Sequence, residues 1–312
     1  MLILVTGATG FVGRALLLRL ADGGFEVRCL LRPSRRTPRL PKGIPVQVSI
    51  ASLDETRGLR AALVGVDTVI HLAGAEWRGQ LGDLFAVDAA GTRALVEAAQ
   101  DAGVGRLIYL SHLGADRASA YPVLKAKGIA EEFVRQSGLP YTIVRSALLY
   151  GLEDVFLNVV AALIKLGPGF FLMPGDGQTA LQPLWVEDLV TCLEWSLGDL
   201  TCLNQTISLG GPEFITFGQM VQIVMEVMGV RRLVVPVRPS YLRAGAWLLE
   251  QLLPRSPLTT HWLDYLAISR TCELTSVTRH FGLKPTRFTP NTLEYLRGRR
   301  WLSEMSRLIW GT

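Results

Sequence analysis

Near the start of the 312-residue chain, Thr6-Gly7-Ala8-Thr9-Gly10-Phe11-Val12-Gly13 sets three glycines at Gly-x-x-Gly-x-x-Gly spacing. The apolar run Leu2-Ile3-Leu4-Val5 leads into it, and a helical pattern over residues 10–20 follows. Glycines between a strand and a helix let the backbone approach a ligand, and the helix N-terminus offers unpaired N–H groups to negative charge. A dinucleotide pyrophosphate needs that setting, so Thr6, Gly7, Thr9, Gly10, Phe11, Val12 and Gly13 form the expected phosphate loop. The alternative is a plain strand–helix turn.

Two further clusters carry chemistry. An acid about 20 residues past such a loop ordinarily takes the ribose 2′-hydroxyl of NAD. Here Arg32 stands 19 residues beyond Gly13, and no Asp or Glu lies between Glu26 and Asp54. Arg32, Ser34, Arg35 and Arg36 would instead form charge-assisted forks on a 2′-phosphate, which predicts NADP(H) in preference to NAD(H). The alternative is that these arginines coat a surface loop. Tyr121-Pro122-Val123-Leu124-Lys125 sets a phenol and an ammonium four residues apart, on one face of a helix. His112 reads as a surface loop histidine ahead of a proton relay, and Asp116 and Arg117 as solvated.

The elements that must position these groups alternate from the first residue. Strands are expected over 2–5, 26–31, 46–50, 68–72, 106–111 and 141–144, with helices over 10–20, 53–64, 84–102 and 122–137. Apolar strands alternating with helices imply an α/β fold with a parallel sheet covered on both faces. Past Gly151 the beat changes. A helix over 154–166 meets a Gly/Pro-rich turn (167–177), a helix covers 184–197, and a strand over 205–209 returns to the sheet. From Thr216 onward helices are expected, over 217–227, 240–253, 261–268, 276–281 and 291 to the end. The division is residues 1–151 plus about 182–210 as a nucleotide-binding domain, with 152–181 and 211–312 as a C-terminal substrate or partner lobe.

The glycine spacing after Thr6 resembles the short-chain dehydrogenase/reductase superfamily, especially its extended and atypical branches. Asp67-Thr68-Val69-Ile70-His71-Leu72-Ala73-Gly74 is similar to the fourth-strand motif, whose Ala73-Gly74 backbone would pass beside the cofactor. Val87-Asp88-Ala89-Ala90-Gly91-Thr92 is similar to the next helix start, with Asp88 in place of Asn. Residues 143–151 and Trp185-Val186-Glu187-Asp188 continue the likeness, with Ser146 where the family has Pro. It covers about residues 1–210. It implies a doubly wound parallel Rossmann sheet with a smaller, mostly helical C-terminal lobe. It also implies cofactor contacts at Leu53, Ala73, Gly74 and Lys125. Tyr121 would be the acid/base and Lys125 its electrostatic partner, while Ser111 either polarises a carbonyl or caps the strand. The pair Ala51-Ser52 departs from the Gly-Asp that brackets adenine. The pattern is similar to NmrA-like proteins, to epimerase-like proteins and to the nucleotide-binding accessory subunit of respiratory complex I.

Composition bounds the partners. At 49% hydrophobic and 19% charged the chain is not disordered, and no run reaches the roughly 18 apolar residues of a membrane span. Four separated cysteines give no disulfide or zinc framework, and no metal is expected. The net charge of +5 divides into −3 over residues 1–230 (19 basic, 22 acidic) and +8 over 231–312 (13 basic, 5 acidic), where four of the seven Trp also lie. No aromatic-interleaved basic patch supports nucleic-acid binding. In the tail, Trp301, Leu302, Met305, Leu308 and Ile309 share a helical sector away from Arg299, Arg300 and Arg307. Such a helix either packs on its own lobe or contacts a membrane or membrane complex through residues 297–312. The chain has no basic leader or cleavage site, so it is expected in the cytoplasm, with a peripheral position at the inner membrane surface as the variant. No motif speaks to the oligomeric state. The expected activity is an NADP(H)-dependent oxidoreductase acting on a carbonyl or alcohol of a small apolar molecule. The alternatives are a non-catalytic nucleotide-binding scaffold or accessory factor of a membrane complex, and a nucleotide-sugar epimerase or dehydratase.

Overall fold

The computed structural model describes residues 1–35, 37–76, 82–253 and 256–310. The first half runs β1 (Leu2–Thr6), α1 (Phe11–Asp22), β2 (Glu26–Leu31), β3 (Gln47–Ile50), α2 (Thr56–Leu63), β4 (Thr68–His71), α3 (Gly91–Asp101), β5 (Arg106–His112), α4 (Pro122–Gln136) and β6 (Tyr141–Ser146). The second half runs β7 (Leu149–Tyr150), α5 (Val155–Leu166), β8 (Phe170–Pro174), β9 (Ala180–Leu181), β10 (Leu184–Trp185), α6 (Val186–Gly198), β11 (Gln205–Leu209), β12 (Ile215–Thr216), α7 (Phe217–Met228), β13 (Leu233–Val237), α8 (Pro239–Leu252), α9 (Thr260–Tyr265), α10 (Ser276–Phe281) and α11 (Trp301–Trp310).

Seven parallel strands form one sheet in the order β11-β6-β5-β4-β1-β2-β3. The order reverses between β1 and β4, opening a crevice at the C-terminal strand ends where doubly wound folds bind ligands. Both sheet faces are apolar because both are covered. One packs on α1 and α6 through Leu16, Leu17, Leu189 and Leu193. The other packs on α2, α3 and α4 through Leu59, Leu63, Leu95 and Val134. A smaller, largely helical C-terminal region has its own core, in which Phe156, Phe217, Trp262 and Tyr265 cluster. This is the α/β, Rossmann-type architecture expected. Among the described residues, no helix is long and apolar enough to cross a membrane.

Three expectations are corrected. The helix expected over 84–102 begins as a π-turn at Phe85–Ala90, with Asp88 buried in it, and becomes α-helical only at Gly91. The turn expected at 167–177 contains β8, which pairs in parallel with β13, a strand lying between the helices expected over 217–227 and 240–253. Residues 63 apart in register, such as Phe170 and Leu233, leave no local signal of their pairing. The continuous helix expected from Asn291 is a 3₁₀ segment over Asn291–Leu296 and then α11. Trp301 of α11 is buried in the C-terminal core and Met305 packs against it, so the tail docks on its own lobe.

Candidate functional site

The crevice holds a cavity of about 280 Å³ lined by the glycine loop, the end of β5, α4 and the start of α5. Gly7, at φ +71°, bends the chain sharply as it leaves β1. A Cβ there would lie 2.7 Å from the Leu72 carbonyl carbon, so only glycine lets the loop close against the end of β4. Gly10 accepts the first helical bond from Arg14 N and leaves the N–H groups of α1 facing the cavity. The cradle is glycine-lined on the cavity side by Gly7, Gly10, Gly13 and Gly74. That fits a pyrophosphate, which requires close backbone approach and positive helix-end potential.

A buried polar chain fixes the loop from behind. Thr92 Oγ1 donates to the Asp88 carbonyl at 2.6 Å, so His71 Nε2 must donate to Thr92 Oγ1 at 2.8 Å. His71 Nδ1 is then an acceptor for the Thr6 hydroxyl at 2.6 Å, and Thr6 Oγ1 accepts from Ala73 N at 3.3 Å. Burial, with the Lys127 charge added, holds the His71 ring down to about 3, so it stays neutral. The chain ties β1, β4 and α3 together directly beneath the glycine loop.

Lys127 is the cation of the cleft. It is 4% exposed, and its Nζ lies 2.9 Å from Asp88 Oδ1. Burial alone would lower its affinity for the proton; Asp88 first, then Tyr109 and Glu76, reverse this and hold it well above the ordinary lysine value. Asp88 Oδ2 accepts from Ala75 N at 2.9 Å. A Cβ on Gly74 would stand 3.1 Å from Asp88 Oδ1, so the Asp88 carboxylate sits directly behind the Gly74 and Lys127 part of the cavity wall.

Across the cavity a second chain reaches the C-terminal lobe. Glu76 Oε2 lies 2.6 Å from His112 Nε2, and His112 Nδ1 lies 3.0 Å from the Tyr265 hydroxyl of α9. Both ring nitrogens of His112 are thus engaged, Nε2 by the Glu76 carboxylate and Nδ1 by the Tyr265 hydroxyl. Burial would raise the Glu76 carboxyl, but His112, Lys127 and Arg270 outweigh it and bring it to about 2. Burial pushes the Tyr265 phenol up, so it holds its proton, and Arg270 stacks 3.7 Å from its ring centroid. The surface reading of His112 is corrected: it is buried as the last residue of β5. Asp116 and Arg117 are exposed, as expected.

The sequence-predicted residues separate into two groups. Gly7, Gly10, Phe11, Val12, Gly13 and Gly74 line the cavity. Thr6 and Ala73 brace it, Thr9 is exposed with its carbonyl on Arg14, and Leu53 packs where a Cβ on Gly91 would sit. Tyr121 caps α4 half-buried, Lys125 is exposed, and neither is among the residues lining the cavity. Ser111 is turned to the other face of β5, donating to Glu131 Oε1 at 2.6 Å, where Arg145 and Arg135 also bind that carboxylate. Sequence reasoning missed Lys127, Asp88 as its partner, and the Glu76–His112–Tyr265 chain. The signal for Lys127 was present: Val123, Ala126, Lys127, Ala130 and Val134 form the buried stripe of α4, and Lys125 lies off it.

A family model described as NAD(P)H-binding matches residues 7–155. Caulobacter vibrioides ceramide reductase is 31% identical over 78% of this chain and 75% of its own length. The chain belongs to this family of NAD(P)H-binding, Rossmann-fold proteins. Within that family, Arabidopsis thaliana mitochondrial NADH dehydrogenase [ubiquinone] 1 alpha subcomplex subunit 9 is 33% identical, matching 72% of this chain and 57% of its own length. The chain thus spans little more than half of that relative. Among solved structures, the complex of MoeE5 with UDP-glucose and NAD superposes with a TM-score of 0.73 at 20% identity, covering 97% of this chain and 98% of that one. The Thermus thermophilus UDP-glucose 4-epimerase complex with NAD superposes at 0.71 and 22% identity, covering 95% and 97%.

Those structures overturn the NADP(H) preference, because the dinucleotide they hold is NAD. The arginines behind the preference explain the error. Arg32, Ser34 and Arg35 are exposed on the coil after β2 and do not line the cavity, while Arg36 lies outside the described residues. A missing carboxylate and several exposed cations are what a solvated loop also looks like.

Proposed function

We propose that this NAD(P)-binding protein is an accessory factor of a membrane-associated assembly, in which the dinucleotide serves as a structural ligand. Gly7, Gly10 and Gly13 hold the pyrophosphate, and Lys127, locked on Asp88, meets the nicotinamide end. The observation that carries this reading is the residue preceding Lys127 by one helical turn. It is Val123, buried against Ala75 and Leu84, where a lysine-paired acid would require a hydroxyl. When bound, a nicotinamide would supply hydride chemistry, but Tyr121 and Lys125 stand outside the cavity that would contain it. Likeness to the Arabidopsis NADH dehydrogenase subunit supports an accessory role. The test is thermal unfolding with NADH and assembly-dependent activity of the host complex. Tyr121→Phe retains both, whereas loss of either with folding intact would contradict the reading.

A second reading, an enzyme of the reductase or epimerase kind, is favoured by the Glu76–His112–Tyr265 chain. There Tyr265 would exchange a proton with substrate, His112 would take it up, and Glu76 would orient the ring. Likeness to the Caulobacter ceramide reductase supports it. Turnover lost in Tyr265→Phe, with dinucleotide binding kept, would establish this reading over the first.

A further inference from the structure

Helix α8 is amphipathic in the reverse sense. At 100° per residue, Tyr241, Leu248 and Leu252 form one stripe, with Leu249 about 80° to one side of it and Trp247 about 120° to the other. All five are exposed, Tyr241 and Leu252 at 68% and 69%, Trp247 at 56% and Leu248 at 52%. Both charged side chains of α8 lie on the opposite side and are engaged by the protein, Arg243 while 45% exposed. Arg243 pairs with Asp264 of α9, and the Glu250 carboxylate accepts from Thr260 N at 3.1 Å. A solvent-facing helix arranges these two sets the other way round, so the exposed face of α8 needs an apolar partner.

Its surroundings identify that partner. Strand β13 runs into α8 through Arg238, and the β8–β13 pair turns Phe171 and Met173 inward while Phe170, Leu172 and Leu233 stay exposed. Residues 165–174 and 231–253 carry Lys165, Arg231, Arg232, Arg238 and Arg243 against a single carboxylate, Glu250, which is engaged. Lys165, Arg231 and Arg238 are exposed at the ends of these elements. A face bearing Tyr and Leu, flanked by Trp247 and by cations at its margins, matches the headgroup boundary of an anionic bilayer.

We propose that the outward face of α8, with the adjoining β8–β13 pair, seats the protein on an anionic lipid surface. The inference rests on the membrane-assembly reading and names the surface it would use. It is separate from the tail, whose Trp301 is buried in its own lobe. Because α9 is held to α8 by the Arg243–Asp264 pair and carries Tyr265 into the cavity, the lipid contact stands one helix layer from the nucleotide cleft.

The test is flotation of the full chain with vesicles of phosphatidylglycerol and phosphatidylcholine against vesicles of phosphatidylcholine alone. Binding should require the anionic lipid. It should fall at least tenfold in Leu248→Glu/Leu252→Glu and in Arg231→Glu/Arg238→Glu, and remain in the tail variant Leu302→Glu. Quenching by brominated lipid, compared between the parent and Trp247→Phe, should place Trp247 in the bilayer. NADH titration of the same samples should be unchanged, which separates failure of this surface from failure of the nucleotide reading. No anionic-vesicle binding, binding lost in Leu302→Glu but kept in the α8 variants, or a dimer dissolved by the α8 substitutions would each overturn the proposal.

Discussion

Lys127 Nζ lies 2.9 Å from Asp88 Oδ1, with both side chains buried where α4 passes the π-turn before α3. Each ion is the other's compensation in a place with little water. Removing one strands the other, which costs about 3–5 kcal/mol. Lys127→Met should therefore lower urea stability by about that amount, and Asp88→Asn/Lys127→Met should recover much of it. Lys125→Met, on the solvated side of the same helix, should stay within about 0.5 kcal/mol of the parent. Equal losses in the two lysine variants would contradict the placement.

The glycine loop yields a paired test. Gly7 and Gly24 share a positive φ, +71° and +72°, but only Gly7 is crowded, since nothing lies within 4 Å of a Cβ on Gly24. Gly24→Ala should show backbone strain alone, on the order of 1 kcal/mol, with NADH affinity intact. Gly7→Ala should cost more in stability and abolish NADH binding by calorimetry.

Asp154 provides a pH signature. It caps α5, accepting from Leu157 N at 2.5 Å, and faces the cavity. Burial, opposed by backbone bonds from Leu157 and Gly151 and by Tyr295, pushes its carboxyl from 3.8 to about 7. The folded chain then keeps a proton that the unfolded chain has released. The resulting stability is full below about 3.8 and is lost as pH rises through about 7. Asn keeps the capping oxygen without the charge, so Asp154→Asn should gain on the parent from pH 4 to 7, by at most ~4 kcal/mol, and level off above. Taking the difference between the two proteins removes the opposing contribution of His71, held down to about 3. A flat difference across that range would exclude a raised Asp154.

Cofactor choice is tested at the exposed arginines. NADH should bind at least as tightly as NADPH, and Arg32→Ala or Arg35→Ala should change neither affinity by more than about twofold, because a solvated charge contributes little. A tenfold loss confined to NADPH would mean that these side chains fold onto a 2′-phosphate.

What was legible in the sequence followed physical locality. Apolar runs as short as Thr68–His71 declare buried parallel strands, and Gly7, Gly10 and Gly13 declare a close approach, because both signals sit within one element. The Tyr121–Lys125 spacing points to the exposed side of α4, whereas the buried stripe of the same helix carries Lys127. Tyr265 meets His112 from 153 residues away, and β13 finds β8 across two helices, so neither contact has a local trace. The exposed arginines misled because charge type is visible in a sequence and its solvation is not.

The central claim is that the nucleotide is held at the glycine loop and Lys127, without Tyr121 and Lys125. Calorimetric titration of NADH into Tyr121→Phe/Lys125→Met and into Lys127→Met/Asp88→Asn tests it most directly. The account predicts affinity within about twofold of the parent for the first variant and at least tenfold weaker binding for the second, since a charge-assisted contact contributes ~1.5–3 kcal/mol. Binding lost in the first variant and kept in the second would contradict it.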